Sequence, residues 1–282
     1  NSFSQSYQFS KYNIEEGLPQ QYVYSLNQDN QGFIWVGTGD GISKFDGINF
    51  QNYTTEDGLA ENFISCSAQR HKNIIWLGHN KGGISRIIDG NILTIVPDSL
   101  VNSKITDILV DQDNYIWAIS QNGFLIKISP RLEVTKHDLF HDQKNLYSIA
   151  GKIEGNLLIG TDEGLFVWAL NNMLEPSTYV EVNSFKLKTI QCITESLFEK
   201  NNFWVGTAES GLYQLRFTED GKFEARNYNN DFGIGSSFIQ KIEEDESRNL
   251  LISTYSGLFK LIYDENSKDF SKTVHYSSAN GI

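Results

Sequence analysis

Cysteine, proline and methionine are scarce in this 282-residue chain, at 2, 4 and 1 residues. Two cysteines cannot supply the disulfide framework of a small secreted module. No window comes close to the roughly 18 apolar residues a membrane helix requires, so this segment is expected to make no membrane contact. Basic residues are outnumbered, with 23 Lys and Arg against 35 Asp and Glu, for a net charge of −12. A polyanion must be met by a basic face, and no local Lys/Arg run provides one, which excludes nucleic acid as a partner. The chain has no Gly-x-Ser-x-Gly elbow, no phosphate loop and no Cys-x-x-Cys. Its five histidines, His71, His79, His137, His141 and His275, lack metal-ligand spacing. No metal or cofactor is therefore expected. Residue 1 is Asn and no leader pattern follows it, so the sequence reads as a mature or excised segment.

Glycine and aromatic residues are abundant, at 23 Gly and 13% Phe, Trp and Tyr. They recur in a pattern set by residues 33–47, FIWVGTGDGISKFDG. Copies follow at residues 75–86 (IWLGHNKGGISR), 116–127, 157–166, 203–213 and 250–259. With Trp35, Trp76, Trp117, Leu158, Trp204 and Leu251 taken as equivalent, the steps are 41, 41, 41, 46 and 47 residues. A repeat of roughly 40–50 residues holding several short strands is the pattern of an all-β propeller of four-stranded antiparallel blades. Nearest-neighbour repeats can exceed ordinary domain size without a linker, so residues 1–282 read as one domain.

The first repeat, residues 22–53, sets the reading of the others. Strand a ends at a turn, Asp29 to Gly32, and strand b (residues 33–38) is almost wholly apolar. Strand c follows residues 39–41, and Asp46-Gly47 signals a tight hairpin into strand d at Ile48. The other repeats lie near residues 63–96, 104–137, 144–183, 188–228 and 238–276, with an insertion at residues 171–177. Residues 7–18 match residues 49–59, so residues 7–13 are expected to be an outer strand with no blade before it. That makes one strand more than a closed ring of six blades holds. The expectation is part of a seven-bladed ring whose closing blade takes residues 7–13 as its outer strand. Cys66 and Cys192 occupy matching places three blades apart, too distant for a disulfide, and read as small buried side chains.

The repeat resembles that of the two-component regulator propeller family. The resemblance rests on Glu16-Gly17-Leu18, Val23, Leu26, Asp29, Gly32, residues 34–38 (IWVGT), Gly41-Ile42 and Phe45-Asp46-Gly47. It is nearly complete in the first repeat, good in the second and fifth, and degraded in the third, fourth and sixth. It implies the periplasmic sensor region of a hybrid two-component system, joined elsewhere in the same chain to a further propeller and a histidine kinase. The implied partners are an oligosaccharide or other small ligand, the remaining propeller and signalling domains, and a homodimer. Two other readings stay open: a structural or protein-binding propeller of an envelope or secretion factor, and an enzyme resembling the streptogramin lyases.

Ligand-binding candidates are the positions that no strand needs, in the b–c turns and nearby connections. They are Asp40, His79, Asn80, Lys81, Gln121, Asn122, Asp162, Glu163, Glu209 and Tyr255, with Ser210 beside them. Carboxamides, carboxylates and an aromatic suit sugar hydroxyls, although each is also an ordinary solvated turn residue. Lyase chemistry would rest on His79. The repeated Trp35, Trp76, Trp117 and Trp204, and Trp168, read as packing between blades. Two registers of strand a lie nearest the axis: Tyr24, Ser65, Thr106, Tyr147, Gln191 and Gln240, then Ser25, Cys66, Asp107, Ser148, Cys192 and Lys241. Periodicity alone does not say which set faces a central channel.

Overall fold

The computed structural model describes residues 10–71, 73–140, 144–153, 155–169, 179–234 and 238–277. These form six four-stranded antiparallel sheets, each with its strands in chain order. Blade 1 is β1 (Val23–Gln28), β2 (Ile34–Thr38), β3 (Gly41–Phe45) and β4 (Phe50–Tyr53). Blade 2 is β5 (Ile64–Gln69), β6 (Ile74–His79), β7 (Ile84–Ile88) and β8 (Asn91–Val96). Blade 3 is β9 (Ile105–Val110), β10 (Ile116–Ser120), β11 (Phe124–Ile128) and β12 (Val134–Asp138). Blade 4 is β13 (Leu146–Ile153), β14 (Asn156–Thr161), β15 (Leu165–Ala169) and β16 (Tyr179–Glu181). Blade 5 is β17 (Ile190–Glu195), β18 (Asn202–Thr207), β19 (Leu212–Phe217) and β20 (Phe223–Asn227). Blade 6 is β21 (Ile239–Glu244), β22 (Leu250–Thr254), β23 (Gly257–Asp264) and β24 (Asp269–Tyr276).

The second strand is the most buried because both of its faces meet a neighbouring blade; every residue of β10 and β18 is buried. Trp35, Trp76, Trp117 and Trp204 stand on it at 1–5% exposure, each inside a cluster shared with the following blade. They are packing residues, as is Trp168 at 3%. The glycine two positions beyond Trp35, Trp76 and Trp204 has a steric cause, whereas Ile119 stands there after Trp117. A Cβ on Gly37, Gly78 or Gly206 would fall within 2.8 Å of Ile64, Ile105 or Ile239 of the next blade. The threonine after it closes the b–c turn: Thr38 donates to the Gly41 carbonyl and accepts from Asp40 N, and Thr161, Thr207 and Thr254 repeat this.

At the other end of strand b, the a–b turn is built on its aspartate. Asp111 Oδ1 accepts from Asp113 N and Tyr115 N at 2.9 and 3.0 Å, and Oδ2 accepts from the Trp117 indole at 2.8 Å. Asp29 does the same for Gln31, Phe33 and Trp35. Residues 111–114 are thus a side-chain turn. Asp111 is 5% exposed, so Asp111→Ala should strand these donors and cost about 3 kcal/mol, with Asp111→Asn losing roughly half as much. Urea unfolding of the two variants measures both.

Two predicted boundaries move. Strand d of blade 1 starts at Phe50 rather than Ile48, because Asp46 Oδ1 accepts from both Ile48 N and Asn49 N. The hairpin is therefore a longer loop, and Ile48 is 80% exposed. Of the predicted outer strand at residues 7–13, residues 7–9 lie outside the described residues and 10–13 are not in a strand. The insertion at residues 171–177 and His141 also lie outside them. The match between residues 7–18 and 49–59 does appear as twin crossovers. Asn13 and Thr54 cap short helices, Glu16 and Asp57 return a bond to the cap, and Gly17 and Gly58 follow at φ 108° and 111°.

The inner strands pack in sequence: β1 on β5, β5 on β9, β9 on β13, β13 on β17 and β17 on β21. Five apolar clusters fill the five junctions between successive blades. Among the described residues no comparable packing or cluster joins β21 to β1. The cost falls on blade 1. Ile108, Ile149, Ile193 and Ile242 are 0–6% exposed against the preceding blade, whereas the equivalent Leu26 is 64% exposed and Val23 44%.

Candidate functional site

One end of the blades carries both the b–c turns and the crossovers between blades, held together by a repeated backbone bond. Asn80 N donates to Phe63 O, Gln121 N to Lys104 O, Asp162 N to Asn145 O and Ala208 N to Thr189 O. Most sequence-predicted site residues do lie here, and several are already tied to a crossover. Asp40 accepts from Asn62, Asp162 accepts from Asn145 at 2.6 Å, and Glu163 pairs with Lys144. Lys81 N donates to Glu61, with its ammonium 3.9 Å from that carboxylate. Asn122 Oδ1 accepts from Ser120. Asn80, Gln121 and Glu209 are exposed, and Tyr255, 76% exposed, stacks on Phe238 at 4.7 Å.

His79 must be removed from this set. It is the last residue of β6, pairs with Ile64, and is 0% exposed. Its Nδ1 lies 3.2 Å from the Phe63 carbonyl and its Nε2 2.8 Å from Ser85 Oγ, so both nitrogens are engaged inside blade 2. It occupies the place of the turn-closing threonine, and burial pushes its pKa down to about 4. A neutral, enclosed imidazole of this kind is neither a ligand contact nor a base for lyase chemistry.

The two axial registers are now distinguished by a feature the sequence did not reveal. In every blade the pairing of strands a and b slips by one residue near the b–c turn: between Val23 and Ser25, Ile64 and Cys66, Leu146 and Ser148, Ile190 and Cys192, and Ile239 and Lys241, with the same slip at Ile105/Asp107. The six extra residues are Tyr24, Ser65, Thr106, Tyr147, Gln191 and Gln240. A bulge re-aims a side chain and leaves its backbone unpaired, and all six are at least partly exposed on the innermost strand. None is charged. Their groups are three kinds of hydrogen-bonding neutral: phenol, aliphatic hydroxyl and carboxamide. Tyr147 links this ring to the turn face, since burial and the charge of Asp162 both raise its phenol pKa.

In the second register Cys66, Asp107, Ser148 and Cys192 turn between blades, whereas the Lys241 ammonium is exposed and its charge acts on Asp107, Cys66 and Cys192 of three other blades. Cys66 and Cys192 sit over Gly78 and Gly206, are free and buried, and burial pushes both thiols up to about 12. Asp107 Oδ2 accepts from Ser148 Oγ at 3.1 Å and Ile149 N at 2.9 Å, and Ser148 Oγ accepts from Ile193 N at 2.9 Å. That chain stitches blades 3, 4 and 5 together.

The fold and this face define a repeat propeller whose six axial bulges carry neutral polar side chains, one register away from the Lys241 ammonium. Residues 17–40 carry the repeat of the family described as two component regulator propeller. Among solved structures, the extracellular domain of the putative hybrid two component system BT4673 of B. thetaiotaomicron is similar at TM-score 0.67 and 20% identity, over 90% of this chain and 33% of that one. The chain thus spans about a third of that structure. Virginiamycin B lyase of Staphylococcus aureus is similar at TM-score 0.67 and 13% identity, over 88% and 83% of the two chains. PorZ, a surface component of the type-IX secretion system of Porphyromonas gingivalis, is similar at 0.62 and 14%, over 91% and 46%. At these identities the likeness establishes the propeller fold. No curated protein matches the chain by sequence.

Proposed function

We propose that this chain is the ligand-binding propeller of an extracytoplasmic two-component sensor, and that it takes an uncharged oligosaccharide at the axial mouth. One observation carries the reading: six equivalent bulges present Tyr24, Ser65, Thr106, Tyr147, Gln191 and Gln240, all neutral hydrogen-bonding groups, in a chain of net charge −12. Sugar hydroxyls both donate and accept, and are matched by groups that do the same without a charge to desolvate. The family repeat at residues 17–40 and the likeness to an extracellular receptor domain support the sensor setting and a periplasmic placement. The exposed Leu26 and Val23 support completion of the ring by a further blade. Transmission to a kinase then requires the ligand to bind one arrangement of the propeller more tightly than another.

Thermal unfolding against a panel of neutral oligosaccharides tests this. A ligand at a hundred times its dissociation constant adds about 2.7 kcal/mol, a shift of several degrees. Gln191→Ala with Gln240→Ala, and separately Tyr147→Phe, should weaken that ligand about tenfold or more while leaving the unliganded melting point in place. A full panel with no shift rejects the reading and favours a protein-binding propeller.

A further inference from the structure

The opposite end of the blades, among the a–b and c–d turns, holds a cavity of about 210 Å³ between blades 2 and 3. Trp76, Ile116 and Leu132 supply apolar wall, and Arg70 and Arg86 stand at its sides. No Asp or Glu lines it among the described residues. Its rim is bridged across the two blades by His71 Nε2 and Asn114 Oδ1 at 2.9 Å.

Comparison between blades explains why the space is there. In blades 1 and 3 the residue six before the tryptophan is aspartate, and Asp29 and Asp111 accept from the indole at 2.9 and 2.8 Å. A strand-c lysine lies beside the same ring, Lys44 at 5.6 Å and Lys127 at 5.0 Å. Blade 6 keeps the acid and base, with Lys260 3.2 Å from Asp245. Blade 2 keeps the tryptophan and the cation, with Arg86 5.7 Å from the Trp76 ring. But the position six before Trp76 is Arg70, so the sign of the turn residue is reversed. Where Asp29 is present, the corresponding gap between blades 1 and 2 holds only about 30 Å³.

The reversal leaves two guanidiniums around an open space, and the Arg86 Nε is buried with no hydrogen-bond partner. Arg70 is within electrostatic reach of Glu195 on the inner strand of blade 5, so Arg86 has the greater unmet need. A buried cationic donor without an acceptor is costly, and a guanidinium matches the two oxygens of a carboxylate better than any other group. We propose that this cavity is a binding site for a small organic carboxylate. Its oxygens take the place of the absent turn aspartate between Arg70 and Arg86, and its body lies on the wall of Trp76, Ile116 and Leu132. The site is independent of the axial mouth and at the other end of the blades.

Isothermal titration of the intact protein with benzoate and glucuronate, beside benzyl alcohol and glucose, separates the carboxylate from the body that carries it. The expected result is one carboxylate bound per chain, weakened by salt, with no binding of the uncharged counterparts. Arg86→Gln and Arg70→Gln should each weaken it about tenfold or more. Arg70→Asp should abolish binding and raise the melting temperature by roughly 2–4 °C, because it supplies the missing acid internally. Arg70 is exposed, so its variants keep the fold even if Arg86→Gln does not. The proposal is overturned by equal binding to native protein and Arg70→Asp, by equal binding of the uncharged compounds, or by no carboxylate binding at about 10 mM.

Discussion

Gly78→Ala should lower stability by about 3 kcal/mol, the upper end of what one added methyl does in a packed interior. The new Cβ would lie 2.5 Å from Cys66 Sγ and 2.7 and 2.9 Å from Ile105 Cγ2 and Cβ. None of these can retreat. Cys66 is on the paired strand of the same blade, Ile105 is 0% exposed in the first strand of the next, and both belong to one cluster. Relief would require blades 2 and 3 to separate, which exposes that whole cluster. Gly206→Ala should behave alike, against Cys192 Sγ and Ile239 Cγ2, both at 2.6 Å. Gly39→Ala is the control. Its methyl would meet only the end of the Gln20 side chain, with no backbone in the way, and should cost under about 1 kcal/mol. Thermal unfolding should place the first two roughly 5–10 °C below native in melting temperature and the third close to it. Three equal values would mean that the glycine is not kept for inter-blade contact.

The same glycine explains why so much of the fold was legible. A residue type forced by contact with the next blade recurs at Gly37, Gly78, Gly160 and Gly206, and the tryptophan before it and the threonine after it each recur in four of the six blades. Counting from Trp35 to Trp76 to Trp117 therefore counts blades, and the strand boundaries follow within one or two residues. Asp46-Gly47 misled because an Asx side chain can close a longer loop as well as a two-residue one. His79 misled for a different reason. It looks like a turn residue by composition, yet Gly78-His79 aligns with Gly37-Thr38, and that alignment already places it at the end of a strand. The bulges were illegible because slippage of pairing depends on where the inner strand's free edge meets the axis, not on any residue type; Tyr24, Ser65 and Gln240 share no chemistry that marks them. The cavity stood between these cases. Arg70 in an aspartate's position can be counted off from Trp76, but the space it leaves is a matter of how neighbouring side chains fill.

Native stability should rise with pH between about 4 and 6.5, and a large part of that slope should vanish in His79→Gln. The imidazole is 0% exposed, and burial, only partly offset by hydrogen bonds to backbone, brings its pKa down to about 4 from an ordinary 6.5. In this window the unfolded chain takes up a proton that the folded chain refuses, so acidification favours unfolding. The contribution is fully present above pH 6.5, falls as pH drops towards 4, and levels off below it. It amounts to about 3 kcal/mol over the interval, on the scale of 1.36 kcal/mol per unit. Asp107 acts in the opposite sense, since burial raises its carboxyl and Lys241 only partly offsets this; its share of stability is lost as pH rises above the ordinary carboxylate range. The measurement is therefore the difference between native protein and His79→Gln, in which Asp107 and the other carboxyls cancel. That difference should shrink by about 3 kcal/mol from pH 7 to pH 4. Parallel pH profiles would mean that His79 is reached by solvent, and would return it to the face on which a ligand or a substrate could meet it.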